Sequence, residues 1–218
     1  MNIAFAVVLA YLLGSIPSAY LAGKLSKGID LRRYGSGNLG ATNAYRVLGS
    51  QLAALVWLVD TAKGAAAVAL VPKIFSLPAS EWLPIALGLA ALVGHTRPLF
   101  LRSGGGKGVA TAAGVFLALA WLPAVLAIAA WCLVLWRSGY VSLSSLTAAV
   151  TLTVSIIAVE GFTSPVVAAA AVVTAFVFWS HRENIERLRN GEEHRFTMSP
   201  VSTATEQSTD VGRRRGRI

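Results

Sequence analysis

Residues Val109 to Trp136 read VATAAGVFLALAWLPAVLAIAAWCLVLW, without a single charge. Whether this stretch crosses a membrane once or twice decides the fold of everything around it. Pro123 interrupts the run, so it is either one kinked helix or two short ones turning back at Leu122-Pro123. On its N-terminal side lie the polar segment His95 to Gly108, an apolar helix from Trp82 to Gly94, and an apolar segment from about Leu48 to Val71 that ends before Pro72 and Lys73. Before these come the polar stretch Lys24 to Arg46 and a first apolar segment, residues 2 to 23, with Gly14 and Pro17 as kink points. That segment is long enough to cross about 30 Å at about 1.5 Å per residue. On the C-terminal side follow Arg137 to Ser142, apolar Leu143 to Val159, a break at Glu160 to Pro165, and a last apolar run to Trp179.

Charge chooses between the two counts. If residues 109 to 136 cross twice, Lys24, Lys27, Arg32, Arg33, Arg46, Arg97, Arg102, Lys107, Arg137 and the basic C-terminus share one side, and only Lys73 lies opposite. If they cross once, the C-terminal arginines face away from those of the first loops, against the positive-inside preference. The expected fold is therefore an all-α polytopic membrane protein with seven transmembrane helices, N-terminus outside and C-terminus cytoplasmic. Its two central pieces, at about 13 residues each, span only about 20 Å, as thin-membrane or partly interfacial helices do. Residues 1–195 read as a single membrane-embedded domain. Residues 196–218, Ser/Thr-rich and ending in RRRGRI, read as a disordered basic cytoplasmic tail whose arginines meet anionic headgroups.

The composition agrees. Hydrophobic residues make up 55% and charged residues 13% of 218, and the mean hydropathy is +0.63, far from a soluble domain. One cysteine, Cys132, excludes an internal disulfide and suggests no metal site. The net charge of +9 is spread over loops and tail, which fits anionic lipid or a phosphorylated substrate better than nucleic acid. The N-terminus lacks a basic leader and cleavage site, and reads as a retained first helix.

Two glycine clusters fall on the expected cytoplasmic face. The first is Tyr34 to Arg46, YGSGNLGATNAYR, where Gly35, Gly37 and Gly40 alternate with Ser36, Asn38, Thr42 and Asn43. Glycines let successive N–H groups converge, and small hydroxyls and amides add donors, which suits an anion; the competing reading is a turn that lets two helices meet. No strand precedes it and no ribose-binding acid follows, which excludes a dinucleotide fingerprint. The second, Gly104 to Gly108, contains Gly105, Gly106 and Lys107 and opens into a helix, so free N–H groups, the helix dipole and a lysine can hold phosphate. It lacks the Ser/Thr of a Walker loop, and a flexible loop with an incidental lysine is the competing reading. His95 is a candidate general base, a phosphate donor or a structural histidine. Asp60 and Lys63, three apart on one helix, can pair within the apolar segment. His181 to Glu193 reads as a short charged helix with a turn at Asn190-Gly191.

GSGNLGATNAYR at Gly35 to Arg46, Gly94-His95 with GGKGVAT at Gly105 to Thr111, and HRENIERLRNGEE at His181 to Glu193 closely resemble the three motifs of the bacterial acyl-phosphate:glycerol-3-phosphate acyltransferases, the PlsY family. The resemblance runs to about Arg195 and includes GSIP at Gly14 to Pro17 and Asp60-x-x-Lys63-Gly64. It implies an inner-membrane, multi-pass bacterial enzyme with its active site at the cytoplasmic face. Such an enzyme transfers a fatty acyl group from acyl phosphate to glycerol 3-phosphate, giving lysophosphatidic acid and phosphate, without cofactor or metal. Implied partners are the two substrates, membrane lipids and the enzyme that makes acyl phosphate. By the same resemblance Ser36, Asn43, His95, Lys107 and Ser142 are catalytic, and Gly37, Asn38, Gly40, Thr42, Arg46, Gly105, Gly106, Lys107, Asn184 and Arg187 bind substrate phosphate. Asp60, Lys63 and Glu192 support them. The chain departs from the family where Ser103 and Gly104 stand in place of the usual aromatic and basic pair before Gly-Gly-Lys, with Arg97 and Arg102 as substitutes. A transporter for phosphorylated metabolites would also want helices and anion loops, but its sites belong on broken helices at the midplane. For proton removal the expectation is that a substrate phosphate oxygen, with a second pKa of about 6, takes the hydroxyl proton while His95 donates a hydrogen bond.

Overall fold

A computed structural model describes residues 2–101 and 104–196; Arg102, Ser103 and the proposed tail from residue 197 lie outside the described residues. The described chain is all helix: α1 Asn2–Gly14, α2 Ser18–Lys27, a 3-10 turn Leu31–Arg33, α3 Ala41–Leu48, α4 Ser50–Ala69, α5 Val71–Ile74, α6 Trp82–Thr96, α7 Val109–Leu119, α8 Trp121–Ser138, α9 Val141–Glu160, α10 Pro165–Ser180 and α11 Arg182–Arg189. Of these, α4, α8 and α9 are each long and apolar enough to cross a membrane. The pairs α1–α2 and α10–α11 qualify as bent spans, with bends of 41° and 59°, while α6 and α7 are shorter apolar helices.

Three expectations need correction in their details. The first helix, expected as one piece from 2 to 23, is broken after Gly14. Pro17 has no N–H for the carbonyl of Leu13, which accepts from Ile16 N at 3.3 Å, and at the break the carbonyl of Ile16 accepts from Ser18 N at 3.1 Å and from Lys63 Nζ at 2.9 Å. The central stretch is divided as expected, but the break falls at Ala120 (φ −148°, ψ 74°) rather than at Leu122-Pro123. Pro123 sits in the first turn of α8, where a missing N–H costs little. The two halves are consequently unequal, 11 residues in α7 and 18 in α8. Phe196, assigned above to the tail, donates its N–H to Gly139 O at 2.7 Å and packs on Tyr45, so it belongs to the folded part.

Lipid tails offer no hydrophobic gain to helix pairing, so close backbone approach and dispersion must hold the helices together. At the α4–α7 crossing a Cβ on Gly64 would lie 2.2 Å from Thr111 O, and one on Gly114 would lie 1.9 Å from Thr61 O. Neither position has room for any other residue. Behind this crossing Phe116, Leu152, Ile156 and Val173 form the main apolar core between α7, α9 and α10. A second cluster, with Ala6, Ala10, Leu87 and Ala91, joins α1 to α6. Large side chains such as Leu58, Trp121, Leu133, Trp136 and Val154 are exposed on the outside, the surface a lipid-facing protein presents.

Candidate active site

Asn43, fully buried near the start of α3, builds the first loop. Its Nδ2 donates to Leu31 O (3.2 Å) and Tyr34 O (3.0 Å), and its Oδ1 accepts from the Ser36 N–H (2.9 Å). Both amide hydrogens are thereby used within the chain, so Asn43 shapes the loop from its place on the cavity wall. Gly35 (φ 59°) and Gly37 (φ 71°) are left-handed, a conformation that costs glycine least. Gly40 precedes α3, and Ala44 N donates to its carbonyl at 3.0 Å.

The second loop folds onto the end of α6. Gly105 N donates to Thr96 O (2.9 Å) and Gly106 N to His95 O (3.3 Å). These two N–H groups are therefore occupied by the chain itself, which corrects the expectation that they are free for phosphate. What the glycines provide is room, since a Cβ on Gly106 would stand 2.2 Å from His95 Nε2. His95, itself buried, has Nδ1 3.5 Å from Asp60 Oδ1. The same oxygen meets Lys63 Nζ at 2.7 Å and accepts from Ser18 Oγ at 2.7 Å. The expected Asp60–Lys63 pair is present, and it carries His95 and Ser18 with it.

The third loop centres on Glu193, which the sequence reading passed over in favour of its neighbour. Glu193 Oε1 accepts from Ser142 Oγ (2.8 Å) and Asn184 Nδ2 (2.7 Å), and Oε2 from Arg187 Nε (2.9 Å). Glu192 is exposed, and its N–H donates to Arg187 O at 2.8 Å; this is the correction to its supporting role. The left-handed Gly191 (φ 73°) turns the chain back so that Glu193 points at α11 and α9. Burial opposes ionisation of Glu193, yet its three hydrogen bonds and the charge of Arg187 hold its carboxyl below the usual range. Asn184 Oδ1 in turn accepts from Lys107 Nζ. Burial, together with the positive charge of Arg187, presses the Lys107 ammonium below the ordinary lysine value, with Glu193 opposing. Arg46 is pressed down by burial in the same field, again with Glu193 opposing.

Every residue assigned above to catalysis or phosphate binding lines one cavity of about 1970 Å³. Of the three supporting residues Asp60 lines it too, whereas Lys63 stands behind it, against a small void beside His95. The cavity continues from the polar loops into an apolar wall made by Ala112 and Phe116 of α7, Ala127 and Trp131 of α8, Ala149 and Leu152 of α9, and Val173 of α10. Along α9, Ser142, Ser145, Ala149 and Leu152 share one face, a run of about 15 Å at about 1.5 Å per residue, and the lining changes from hydroxyl to aliphatic between Ser145 and Ala149. Among the described residues no group of three His, Cys, Asp or Glu side chains is placed to hold a metal.

A model of the glycerol-3-phosphate acyltransferase family matches residues 4–191. The glycerol-3-phosphate acyltransferase of Synechococcus sp. (strain CC9902) is 47% identical over 189 residues, 87% of this chain and 92% of that one. The fold is similar to two crystal structures of PlsY, an integral membrane glycerol 3-phosphate acyltransferase. Its glycerol 3-phosphate form is 41% identical with a TM-score of 0.82, covering 90% of this chain and 96% of that one. Its lysophosphatidic acid form is 39% identical with a TM-score of 0.80, covering 91% and 97%.

Proposed function

The chain belongs to the glycerol-3-phosphate acyltransferase family and is an integral membrane acyltransferase, and from that premise we propose that it moves a fatty acyl group from acyl phosphate to glycerol 3-phosphate. The products are lysophosphatidic acid and phosphate. The observation that carries this reading is the continuous cavity, polar at the three loops and apolar between α7 and α10. A phosphorylated headgroup and an acyl chain fit such a space together.

Acyl phosphate already contains a good leaving group, so the main tasks are alignment and offsetting charge. The glycerol hydroxyl oxygen bonds to the acyl carbon, the bond from that carbon to the phosphate oxygen breaks, and the hydroxyl proton leaves to a base. His95 and the substrate phosphates are the bases within the site. Lys107, Arg46 and Arg187 supply positive charge for two phosphates, Ser36, Asn38 and Thr42 supply polar contacts, and Glu193 keeps Asn184, Ser142 and Arg187 in place. We place this site at the cytoplasmic face of a bacterial inner membrane. Seven crossings follow if the bent pairs and the two short apolar helices each cross, and the basic loops then share one side. Glycerol 3-phosphate, acyl phosphate and membrane lipids are its partners in this scheme, with the enzyme that makes acyl phosphate as supplier.

The test is turnover by purified protein supplied with acyl phosphate and glycerol 3-phosphate. Phosphate release matched by lysophosphatidic acid is expected. Turnover with an acyl thioester and none with acyl phosphate would overturn the donor.

A further inference from the structure

The polar end of the cavity is built from two sides. Arg46 belongs to α3, which packs on α2, the 3-10 turn and α4, whereas Ser142 and Arg187 belong to α9 and α11, which pack on each other and on α10. Among the described residues no extensive helix packing joins α3 to α9 or α11. Glu193 attracts Arg46 and Arg187 repels it, but the carboxylate is engaged on its own side, by Ser142, Asn184 and Arg187. A direct contact across the gap comes from the chain that leaves α11. Beyond Glu193 it reaches the turn between α8 and α9, where Phe196 donates its N–H to Gly139 O at 2.7 Å. Arg195 Nε donates to Tyr140 Oη at 3.3 Å, with its guanidinium over the Tyr140 ring. There the Phe196 ring meets that of Tyr45 on α3, with centroids 4.6 Å apart and planes tilted by 38°. Tyr45, Arg46, Glu193 and Phe196 all line the large cavity, and Phe196 lies past residues 4–191 that the family model matches.

We propose that Tyr45 and Phe196 are positioning residues, an aromatic clasp that holds Arg46 at its working distance across the cavity from Glu193 and Arg187. The inference rests on the reading above that phosphate enters this end of the cavity. Phosphate needs its cations on both sides at once, and the clasp brings the two sides together before it arrives. Tyr45 directly precedes Arg46 on a helix of 8 residues, so a ring fixed there fixes the guanidinium beside it. Only three residues separate Phe196 from Glu193, at most about 11 Å of chain, so the same ring tethers the carboxylate side. Tilted ring pairs of this spacing are favoured by the quadrupoles of both rings. Without the clasp the two sides part in a fraction of the molecules. Phosphate then binds only the remainder, which raises the apparent KM by the inverse of that fraction and leaves kcat at saturation unchanged.

The experiment compares full-chain wild type, Tyr45→Ala, Phe196→Ala and the double variant in lipid nanodiscs. Each single change should raise the KM for glycerol 3-phosphate about threefold to tenfold, the worth of one aromatic pair, with kcat within about twofold. The double variant should be no worse than the poorer single, because both changes remove the same contact. Phe196→Tyr keeps the ring and should restore the wild-type KM, whereas Phe196→Leu keeps apolar bulk without the ring and should raise it, a reading that survives if alanine unfolds the chain. Calorimetric titration with inorganic phosphate should show dissociation constants that rise in parallel, and this readout needs no turnover. An unchanged KM and phosphate affinity in the ring-less variants overturns the proposal. So does a fall in kcat and Tm at constant KM, the mark of a merely structural contact, and so do losses that multiply in the double variant. Wild type that binds phosphate without turning over acyl phosphate would count against the donor assigned above, while the phosphate titrations would still decide the clasp.

Discussion

Adding one methyl group at Gly106 should disable the enzyme, whereas the same change two residues earlier should not. A Cβ on Gly106 would lie 2.2 Å from His95 Nε2 on one side and 2.7 Å from Leu39 O on the other. Ordinary contact begins at 3.4 Å, so the imidazole would have to give about 1.2 Å, or the loop would have to swing off α6 and break the Gly106 N–H bond to His95 O. Overpacking of this kind costs about 1–3 kcal/mol in stability. Misplacing a reacting group by about 1 Å costs about 10²-fold in rate. Gly106→Ala should therefore retain a folded protein with a modestly lowered Tm and a kcat/KM reduced about 10²-fold, measured by lysophosphatidic acid formation. At Gly104 an added Cβ meets nothing within 4 Å, and Gly104→Ala should stay within about twofold of wild type. Wild-type turnover in Gly106→Ala, or equal damage from both substitutions, would refute the argument that this loop is fitted to His95.

Glu193→Gln should reduce kcat/KM by about tenfold or more, because hydrogen bonds to a charged group are each worth about 1.5–3 kcal/mol, whereas Glu192→Gln should leave it unchanged; a steady-state comparison of the pair checks the assignment. Since the Lys107 ammonium is held below the ordinary lysine value, activity should fall on the alkaline side at a lower pH than an ordinary lysine titrates, and Lys107→Arg should move that limb upward in a pH–rate profile. Thermal stability of Asp60→Asn and of Lys63→Met should fall further than that of the double variant, because either single change strands a buried partner; additive losses would exclude the pairing. Ala149→Phe, placed where the cavity wall turns aliphatic, should depress turnover of long-chain acyl phosphate more than that of a short-chain one, as competition between the two donors would reveal.

Much of this was legible because residue type carried it. Gly14 and Pro17 marked the broken first helix, and the glycine clusters marked the loops that converge on the cavity. The break at Ala120 was marked only indirectly, by Pro123 three residues on: a proline without an N–H is tolerated in the first turn of a helix, so the interruption falls N-terminal of the residue that signals it. Glu192 and Glu193 are adjacent and chemically identical, so only the turn at Gly191 decides which one faces Asn184. That Asn43 also ties Leu31, Tyr34 and Ser36 together was invisible, because an amide's partners twelve residues away leave no mark in sequence. Ser18 had no signal at all, being a serine in the first turn of a helix.

Gly105 and Gly106 carry the more general point. A glycine-rich loop before a helix announces a close approach of backbone to something, and an anion is one candidate. Here the approaching group is the chain's own histidine, and both N–H groups are taken by the carbonyls of Thr96 and His95. The formal positive charge facing phosphate is carried by side chains. Lys107, Arg46 and Arg187 are each subject to the opposing charge of Glu193 or bonded to it. Lys27, Arg32, Arg97 and Arg182 line the cavity as well, against Asp60, Glu183 and Glu193, so its polar end carries excess positive charge that an entering phosphate offsets. Along α9 that end gives way to an aliphatic lining within about two helical turns, so on the proposed acyl-phosphate reading the bond between phosphate and acyl chain is expected between the level of Ser142 and that of Ala149.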